Sequence, residues 1–482
     1  MTHPHHDVLI IGAGLSGISA AYYLQADCPG KTYAILEGRA TLGGTWDLFR
    51  YPGIRSDSDM YTLGFRFEPW TGGKAIADGK DIMTYLQQTV RTYGIDEHIV
   101  YGQFIDRAEW STETATWTLT SRPDARGETH VWTCNFISGC TGYYDYDRGY
   151  TPDFPGSEDF RGRIIHPQKW PAELDYSGKR IVVIGSGATA ITLVPELGKQ
   201  AAKVTMLQRS PTYIVTQPNK DKIADFLRRI LPGKVAYSIS RWKNILYSLF
   251  TYQLSRKYPR TLKKLLLSGV KKELGDKYEV EHFTPDYNPW DQRLCLVPDS
   301  DLFNSIKAGR STIVTGHIET FTENGILLKS GEELPADIIV TATGLRLKLL
   351  GGIAVIVDGR AVSFPDTVAY RSMMFSGVPN FSVAFGYTNA SWTLKVDLTN
   401  RYVCRLLNYM EANGYRYCVP RQTDPDLRHE PFMDFQSGYV QRSLHMLPKS
   451  GHRSPWKLKQ NYVYDRYMLE RGRVDDGVMG FG

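Results

Sequence analysis

Two stretches of the chain share one pattern of apolar and polar positions. Each starts with a short β-branched run, passes through a glycine-rich turn and enters a segment with apolar residues at helical spacing. The two stretches are Asp7–Gly17 followed by Ile18–Leu24, and Arg180–Ala190 followed by Ile191–Val194. A further strand pattern follows each of them, at Lys31–Glu37 and Lys203–Arg209. The sequence therefore predicts two βαβ units, about 170 residues apart.

Two more short strand patterns end in Thr-Gly, at Phe136–Gly142 and Asp337–Gly344. Because they flank the second βαβ unit, they indicate one domain interrupted by another. The Pro- and Gly-rich stretch Tyr150–Gly156 is typical of a linker at the first crossing. We therefore predict an α/β fold with two Rossmann-like dinucleotide-binding domains. The first is expected in residues 1–148 and 338–482, and the second in residues 149–337.

The stretch Lys220–Lys277 differs from its surroundings because it shows helical spacing, as at Trp242, Ile245, Leu246 and Leu249, without strand alternation. It contains 15 Lys and Arg residues against 4 Asp and Glu residues, whereas the whole chain has a net charge of only +6. We predict a helical insertion over about residues 219–290. Its charges form either a solvated face or an interfacial surface that makes weak contact with an anionic membrane.

Composition limits the remaining classes of protein. With 482 residues, 42% of them hydrophobic and 22% charged, the chain is predicted to be globular rather than disordered. Its small net charge does not indicate nucleic acid as a partner. The 6 cysteines form no C-x-x-C pair and no Cys/His set with zinc spacing, so we expect reduced thiols, no metal site and a cytoplasmic protein. We find no signal-peptide pattern and no apolar run long enough to span a membrane.

The first glycine turn has the chemistry of a dinucleotide site. Gly12, Gly14 and Gly17 form G-x-G-x-x-G, in which glycine permits a tight turn, close approach to a pyrophosphate and close helix packing. Glu37 ends the next strand, where a carboxylate accepts hydrogen bonds from a ribose diol. The position near the N-terminus favours FAD as the cofactor of this unit.

The second turn predicts a different dinucleotide. Its candidate residues are Gly185, Ser186, Gly187, Ala188, Thr189 and Ala190. When the two following strands are aligned, Arg209 takes the place of Glu37, and Ser210 adds a hydroxyl. A guanidinium binds a 2′-phosphate that a carboxylate would repel, so the pattern favours NADPH over NADH. Since no C-x-x-C pair is present, electrons from the flavin are expected to reach O2 or another acceptor.

A longer motif lies between the two units, in Phe160–Pro171. It resembles the F-x-G-x-x-x-H-x-x-x-W-P fingerprint of Baeyer–Villiger monooxygenases, and related flavin-containing monooxygenases lack its Trp-Pro ending. Further matches extend the resemblance along the whole chain, and the chain is most similar to the ethionamide-activating type within that family. The fingerprint positions are Phe160, Gly162, His166, Trp170 and Pro171, and the further stretches are Gly43–Tyr61, Tyr287–Pro298 and Gly386–Trp392.

The resemblance implies an NADPH- and O2-dependent enzyme that forms a flavin C4a-peroxide, converts ketones to esters or lactones, and oxygenates sulfides and thioamides. It also implies that Arg293 stabilises the anionic intermediates and that Asp57 holds this arginine. From the residues alone, His166 could be a metal ligand, a base or a structural hydrogen-bonding group, and the absence of a second His at ligand spacing disfavours metal. The family implies a part in domain movement. Further cofactor-binding positions are predicted at Leu15, Ser16, Gly44, Thr45, Trp46, Asp57 and Phe104.

One departure and two alternatives remain open. Many members of the family have lysine before the active-site arginine, whereas this chain has Gln292, so selectivity for NADPH is expected to depend more on Arg209 and Ser210. The alternative enzyme is a flavin-containing monooxygenase that oxygenates only nitrogen and sulfur. The alternative from another class is a redox flavoprotein without catalysis. The physiological substrate and the oligomeric state do not follow from the sequence.

Overall fold

The computed structural model describes residues 3–123, 126–292, 294–433 and 435–482, so Arg293 lies outside the described residues. The strands in chain order are β1 (His5–Ile11), β2 (Tyr33–Glu37), β3 (Ile99–Tyr101), β4 (Ile105–Ser111), β5 (Thr116–Ser121), β6 (Val131–Gly139), β7 (Arg163–Ile165), β8 (Arg180–Ile184), β9 (Lys203–Gln208), β10 (Ile214–Gln217), β11 (Cys295–Pro298), β12 (Ser311–Thr315), β13 (Ile318–Thr322), β14 (Gly325–Leu328), β15 (Glu333–Pro335), β16 (Ile338–Thr341), β17 (Ala354–Val357), β18 (Arg360–Ala361), β19 (Ala369–Tyr370), β20 (Met374–Phe375), β21 (Phe381–Val383), β22 (Cys418–Pro420), β23 (His429–Pro431), β24 (Lys449–Gly451) and β25 (Met479–Phe481).

The α-helices are α1 (Leu15–Asp27), α2 (Thr45–Leu48), α3 (Met60–Leu63), α4 (Gly79–Thr92), α5 (Ala188–Leu197), α6 (Lys222–Ile230), α7 (Gly233–Lys257), α8 (Pro259–Leu274), α9 (Val280–Phe283), α10 (Asp301–Lys307), α11 (Trp392–Ala412), α12 (Gly438–Gln441) and α13 (Tyr462–Arg471). Short 3₁₀ helices lie at Asp96–His98, Pro167–Lys169, Gly275–Lys277, Leu349–Gly352, Phe364–Asp366 and Leu444–Met446. No described helix combines the length and the apolarity that a bilayer crossing requires.

The first glycine turn lies at the end of a large mixed sheet. Its strand order is β18-β17-β4-β5-β6-β1-β2-β3, with β21 also pairing with β6, and β1 is parallel to both β2 and β6. Consecutive side chains of β1 point to opposite faces of this sheet. Val8 and Ile10 pack in the core beneath α1 and α11, whereas Leu9 and Ile11 pack in the core on the other face. This burial on both faces explains the continuous apolar run before Gly12.

The second glycine turn ends a strand of a parallel sheet with the order β12-β9-β8-β16-β7. Ile338–Thr341 pairs with both β7 and β8, in register with Ile181–Ile184. The expected boundary between residues 337 and 338 is therefore wrong, because it would remove a central strand from this sheet. The chain leaves the second sheet only after Thr341, at the Thr-Gly that follows.

The predicted helical insertion is present, and α6 to α9 supply its helices between β10 and β11. One buried ion pair attaches α7 to the first sheet's helices. Arg241, which is 4% exposed, donates from Nη2 to Asp397 Oδ2 on α11 over 3.1 Å and from Nη1 to the carbonyls of Tyr61 (2.8 Å) and Gly64 (2.7 Å). Ser19 on α1 donates its hydroxyl to the other oxygen of Asp397. Burial raises the pKa of Asp397, and the charge of Arg241 opposes that rise.

We expect Arg241→Met to destabilise the fold strongly, because it leaves Asp397 buried without its cation. Breaking a buried pair on one side costs about 3–5 kcal/mol. Thermal and denaturant unfolding would measure this loss, with limited proteolysis of the insertion as a second readout. The control Lys264→Met changes an exposed residue of α8 and should stay within about 0.5 kcal/mol of the wild type. Equal stability of the two variants would contradict the assignment of Arg241 as the anchor.

Candidate active site

A single cavity of about 1280 Å³ lies between the two glycine turns. It exceeds the roughly 300–1,000 Å³ of a pocket for one small ligand. Residues from both sheets line it, including Gly12 and Gly185 at the two turns. Both Thr-Gly strand ends border it as well, at Gly142 and Gly344. The cavity therefore has room for two dinucleotides that meet end to end.

The first turn presents bare backbone to the cavity. Gly12 has φ +105°, and a Cβ atom there would lie 2.6 Å from the carbonyl oxygen of Cys140 on the neighbouring strand. A Cβ atom on Gly44 would lie 3.2 Å from the Cα atom of Gly14, and the amide of Gly43 donates to the carbonyl of Ala13 over 2.9 Å. Two glycine segments thus stack against each other with no side chains between them. This cradle fits a pyrophosphate that must approach main-chain N–H groups closely.

Glu37 connects this turn to the end of β2. It is 6% exposed, and its two carboxylate oxygens accept hydrogen bonds from the amides of Ala13 (2.7 Å) and Arg39 (2.9 Å). Burial raises the pKa of Glu37, and these two amide hydrogen bonds oppose the rise. Each carboxylate oxygen keeps a further lone pair, and the residue lines the cavity. The site therefore fits the ribose diol of an FAD adenosine.

The second turn has the same construction in the parallel sheet. Gly185 has φ +135°, and a Cβ atom there would lie 2.3 Å from the carbonyl oxygen of Ala342. Ser186 donates its hydroxyl to the carbonyl of Ser210 over 2.9 Å, which fixes the turn to the end of β9. Arg209 is exposed and lines the cavity beside this turn, and no carboxylate of the described residues forms an ion pair with it. A cation available beside a helix N-terminus fits a 2′-phosphate.

The segment that follows Gly44 links the two units. Leu48, Phe49 and Tyr51 pack into the core of the second sheet, against the inner face of α5. Tyr51 forms a hydrogen bond with Thr189 at the start of α5, and burial raises its pKa to about 12. Asp57 lies farther along this segment, where it is exposed and lines the cavity. Residues of the first unit thereby form part of the wall beside the second turn.

His166 lies at a junction between the two sheets. The chain crosses from the first sheet to the second near Tyr150 and returns near Gly344. Its Nε2 atom is 3.2 Å from the carbonyl oxygen of Gly344, and its Nδ1 atom accepts from the amide of Gln168 over 3.2 Å. The amide of Tyr150 also donates to the Gly344 carbonyl, and Thr343 donates its hydroxyl to the Tyr150 carbonyl. Burial lowers the pKa of His166. The ring therefore holds the two crossings together directly behind the cavity wall.

Comparisons with known proteins agree with this geometry. A family model described as flavin-binding monooxygenase-like matches residues 75–350, and one described as an NAD(P)-binding Rossmann-like domain matches residues 10–71. The chain is 56% identical over 479 residues to "FAD-containing monooxygenase EthA" of Mycobacterium tuberculosis H37Rv, covering 99% of this chain and 98% of that protein. It is 50% identical to "Putative FAD-containing monooxygenase MymA" of the same strain, covering 99% and 97% of the two chains. The chain belongs to the flavin-binding monooxygenase-like family.

Solved structures confirm the predicted fold class of this monooxygenase. An oxidised steroid monooxygenase bound to NADP has a TM-score of 0.76 and 20% identity, with 99% of each chain covered. An open crystal structure of cyclohexanone monooxygenase has a TM-score of 0.76 and 19% identity, with 100% of each chain covered. The relatives and the family model confirm the resemblance that the motifs predicted, and the protein is a flavin-dependent monooxygenase.

The structure places most of the candidate cofactor residues on the cavity wall. Gly17 and Ala190 are exceptions among them: both are buried behind their turns, where a Cβ atom on Gly17 would lie 1.9 Å from the carbonyl oxygen of Gly12. The fingerprint residues also stay off the wall: they lie on either side of β7 and after the short 3₁₀ helix Pro167–Lys169. The candidates on the wall are Gly12, Gly14, Leu15, Ser16, Glu37, Gly44, Thr45, Trp46, Asp57, Phe104, Gly185, Ser186, Gly187, Ala188, Thr189, Arg209 and Ser210. Their binding roles stay predictions.

Sequence reasoning missed several side chains of the wall. Trp392 donates from Nε1 to the hydroxyl of Ser16 over 2.9 Å and packs near Tyr143. Lys348 pairs with Asp147 over 3.1 Å, just after the second Thr-Gly. Tyr143 and Lys348 closely follow the two Thr-Gly strand ends, so closer attention to those ends would have found them. Trp392 ends the stretch Gly386–Trp392 that the family resemblance had already singled out. Arg442, whose guanidinium lies 3.6 Å above the Tyr150 ring, had no signal in the sequence.

We expect His166→Gln to flatten the dependence of stability on pH. Because burial lowers the pKa of His166, the unfolded chain binds a proton near pH 6.5 before the folded protein does. The free energy of unfolding therefore falls as the pH drops through that value, and the uncharged glutamine lacks this contribution. Melting temperatures between about pH 7.5 and 5.5 would show it. His429→Gln, at an exposed position on β23, is the control and should keep the wild-type slope; an unchanged slope in His166→Gln would refute the prediction.

Proposed function

We propose that this protein is an NADPH- and O2-dependent Baeyer–Villiger monooxygenase that converts ketones to esters or lactones and also oxygenates sulfides and thioamides. One observation carries the proposal: both dinucleotide turns, Asp57 and the residues Gln292 and Leu294 on either side of the predicted catalytic position line one cavity. The Trp170-Pro171 ending of the fingerprint supports the Baeyer–Villiger chemistry. Small ketones or sulfides and O2 are the partners that this chemistry requires.

The predicted FAD is confirmed by the relatives that are named FAD-containing monooxygenases. We assign NADPH to the second turn, and a steroid monooxygenase of the same fold binds NADP. When bound, the reduced flavin supplies the activation of O2. The first turn and Glu37 would hold the flavin dinucleotide, and the second turn would hold the nicotinamide dinucleotide. Arg209 and Ser210 would bind its 2′-phosphate. Both turns line the same cavity, so the two cofactors would share it.

The walls then contribute orientation and exclusion of water. Trp46, Phe49 and Trp392 line the cavity with apolar rings, and such walls strengthen the interaction of a charge with any partner inside. Arg293, which lies outside the described residues, is assigned by the family motif to stabilise the negative charge that develops on oxygen. Asp57 would hold that guanidinium in place. His166 would keep the two crossings together and transfer no proton to substrate.

The alternative is oxygenation of nitrogen and sulfur alone. Both enzymes need the same two cofactors, so the cavity does not distinguish them. Formation of an ester or lactone from a ketone distinguishes the two enzymes. A product screen with linear, cyclic and aryl ketones alongside sulfides therefore tests the proposal, and sulfoxide without any ester would favour the alternative.

We expect Arg209→Ala to weaken the binding of NADPH much more than the binding of NADH. A charge-assisted hydrogen bond contributes about 1.5–3 kcal/mol, which corresponds to roughly 10- to 150-fold in affinity. Steady-state kinetics with each coenzyme would show a large rise in the Michaelis constant for NADPH alone. Arg310, an exposed residue before β12 at the other end of the parallel strands, is the matched control, and Arg310→Ala should leave both constants unchanged. Equal losses for NADPH and NADH would refute the role of Arg209.

We expect Arg293→Ala to keep bound FAD but to lose ester formation. Removing one oriented partner of a developing oxyanion costs about 10²- to 10³-fold in rate. Arg293→Lys should recover little, because an ammonium does not reproduce the planar guanidinium. Asp57→Ala should show a milder loss. Gas chromatography of ester formed per NADPH consumed is the measurement, and a near wild-type yield in Arg293→Ala would show that this arginine is not the stabilising group.

A further inference from the structure

The helical insertion exposes large apolar side chains on two adjacent helices. Five of them define a surface that we call the insertion face: Phe226 and Ile230 on α6, and Leu246, Phe250 and Leu254 on α7. Each group repeats every four residues, so its members lie on one side of their helix. Phe226 is 59% exposed and Phe250 is 62% exposed. Exposed apolar side chains of this size and number indicate an interaction site.

The insertion face is not an incomplete core, because the opposite side of α7 is already packed. Tyr237, Arg241 and Ile245 are buried there, and Tyr237 donates its hydroxyl to the carbonyl of Phe65 over 2.9 Å. These contacts fix the orientation of α7. The exposed side chains therefore cannot turn inward without breaking the Arg241–Asp397 pair.

Cations surround this apolar surface. Arg229, Lys234, Arg260, Lys264 and Lys271 are exposed, and no carboxylate in the described part of the chain forms an ion pair with them. Arg229 adjoins Ile230 on α6, and Lys234 lies in the first turn of α7. The other three follow the exposed side of α8, which packs against α7. A surface with apolar side chains beside free Lys and Arg side chains has the composition of helices that lie in a membrane interface.

We propose that the insertion face binds an anionic lipid bilayer, with its apolar residues among the acyl chains and its cations at the phosphates. A second copy fits less well, because a two-fold interface would place these cations against one another. A nucleic acid would match the charge but would leave five large apolar side chains without a partner. The bilayer matches both properties of the surface.

This placement also suits the proposed substrates. Ile245 and Leu249 on the inner side of α7 line a small cleft together with Tyr387 and Ala390. Tyr387 and Ala390 also line the main cavity. A bilayer at the insertion face would therefore lie on the other side of α7 from the cavity. Apolar ketones are concentrated in the lipid of such a bilayer.

A fluorescent label on the insertion face tests this proposal directly. All six native cysteines are buried, so a thiol introduced at an exposed position is labelled selectively. We would label Phe226→Cys and Phe250→Cys holoenzyme with an environment-sensitive dye. Tyr467→Cys is the matched control, because Tyr467 is also 62% exposed but lies on α13. Vesicles of phosphatidylcholine with phosphatidylglycerol are compared with vesicles of phosphatidylcholine alone.

The proposal predicts a blue shift at positions 226 and 250 with anionic vesicles only, and none at 467. Raising the salt to about 1 M, where the Debye length is about 3 Å, should weaken the shift. Arg229→Gln and Lys264→Gln should each lower vesicle affinity about 5-fold, whereas Arg310→Gln should not. No shift at 226 and 250, an equal shift at 467, or a shift that appears without vesicles as protein concentration rises would overturn it. Displacement of the vesicles by DNA at equal phosphate would also overturn it.

Discussion

Both dinucleotide turns depend on the same steric constraint. At the end of β1, and again at the end of β8, the chain must turn beside the carbonyl of the next strand with no room for a side chain. Cys140 supplies that carbonyl for Gly12, and Ala342 supplies it for Gly185. Each of these carbonyls directly precedes a Thr-Gly, so the two recurring sequence patterns are the two halves of one structural feature. The bare backbone that results faces the cavity from both sheets.

The rest of the site follows from joining these two turns. The segment after Gly44 leaves the first turn and packs against α5, which begins at the second. His166 closes the junction from the other side through the carbonyl of Gly344. These contacts leave one shared cavity instead of two separate pockets. Reaction between two cofactors requires this sharing, because the reacting atoms must approach within about 3–3.5 Å of each other.

The sequence predicted what depends on local pattern. Strand, glycine turn and helix lie within about 20 residues of each other at each unit, and the fingerprint is one continuous stretch. Contacts between residues that are far apart in the sequence could not be predicted from local pattern. Trp392 meets Ser16 across 376 residues, and Arg241 meets Asp397 across 156 residues. The insertion shows the same limit: its helical spacing predicted helices but not which side packs, and the fold buries Ile245 and leaves Leu246 52% exposed.

The central claim is that the two turns bring NADPH and FAD together in one cavity. Anaerobic stopped-flow reduction of the bound flavin tests it, with NADPH that carries deuterium at the transferred position compared with ordinary NADPH. Direct transfer of hydride in a shared cavity predicts rapid loss of oxidised-flavin absorbance and a primary isotope effect on that rate. The account would be contradicted if NADPH reduced the flavin only in the presence of an added electron carrier. It would also be contradicted if deuterium left the reduction rate unchanged at saturating NADPH.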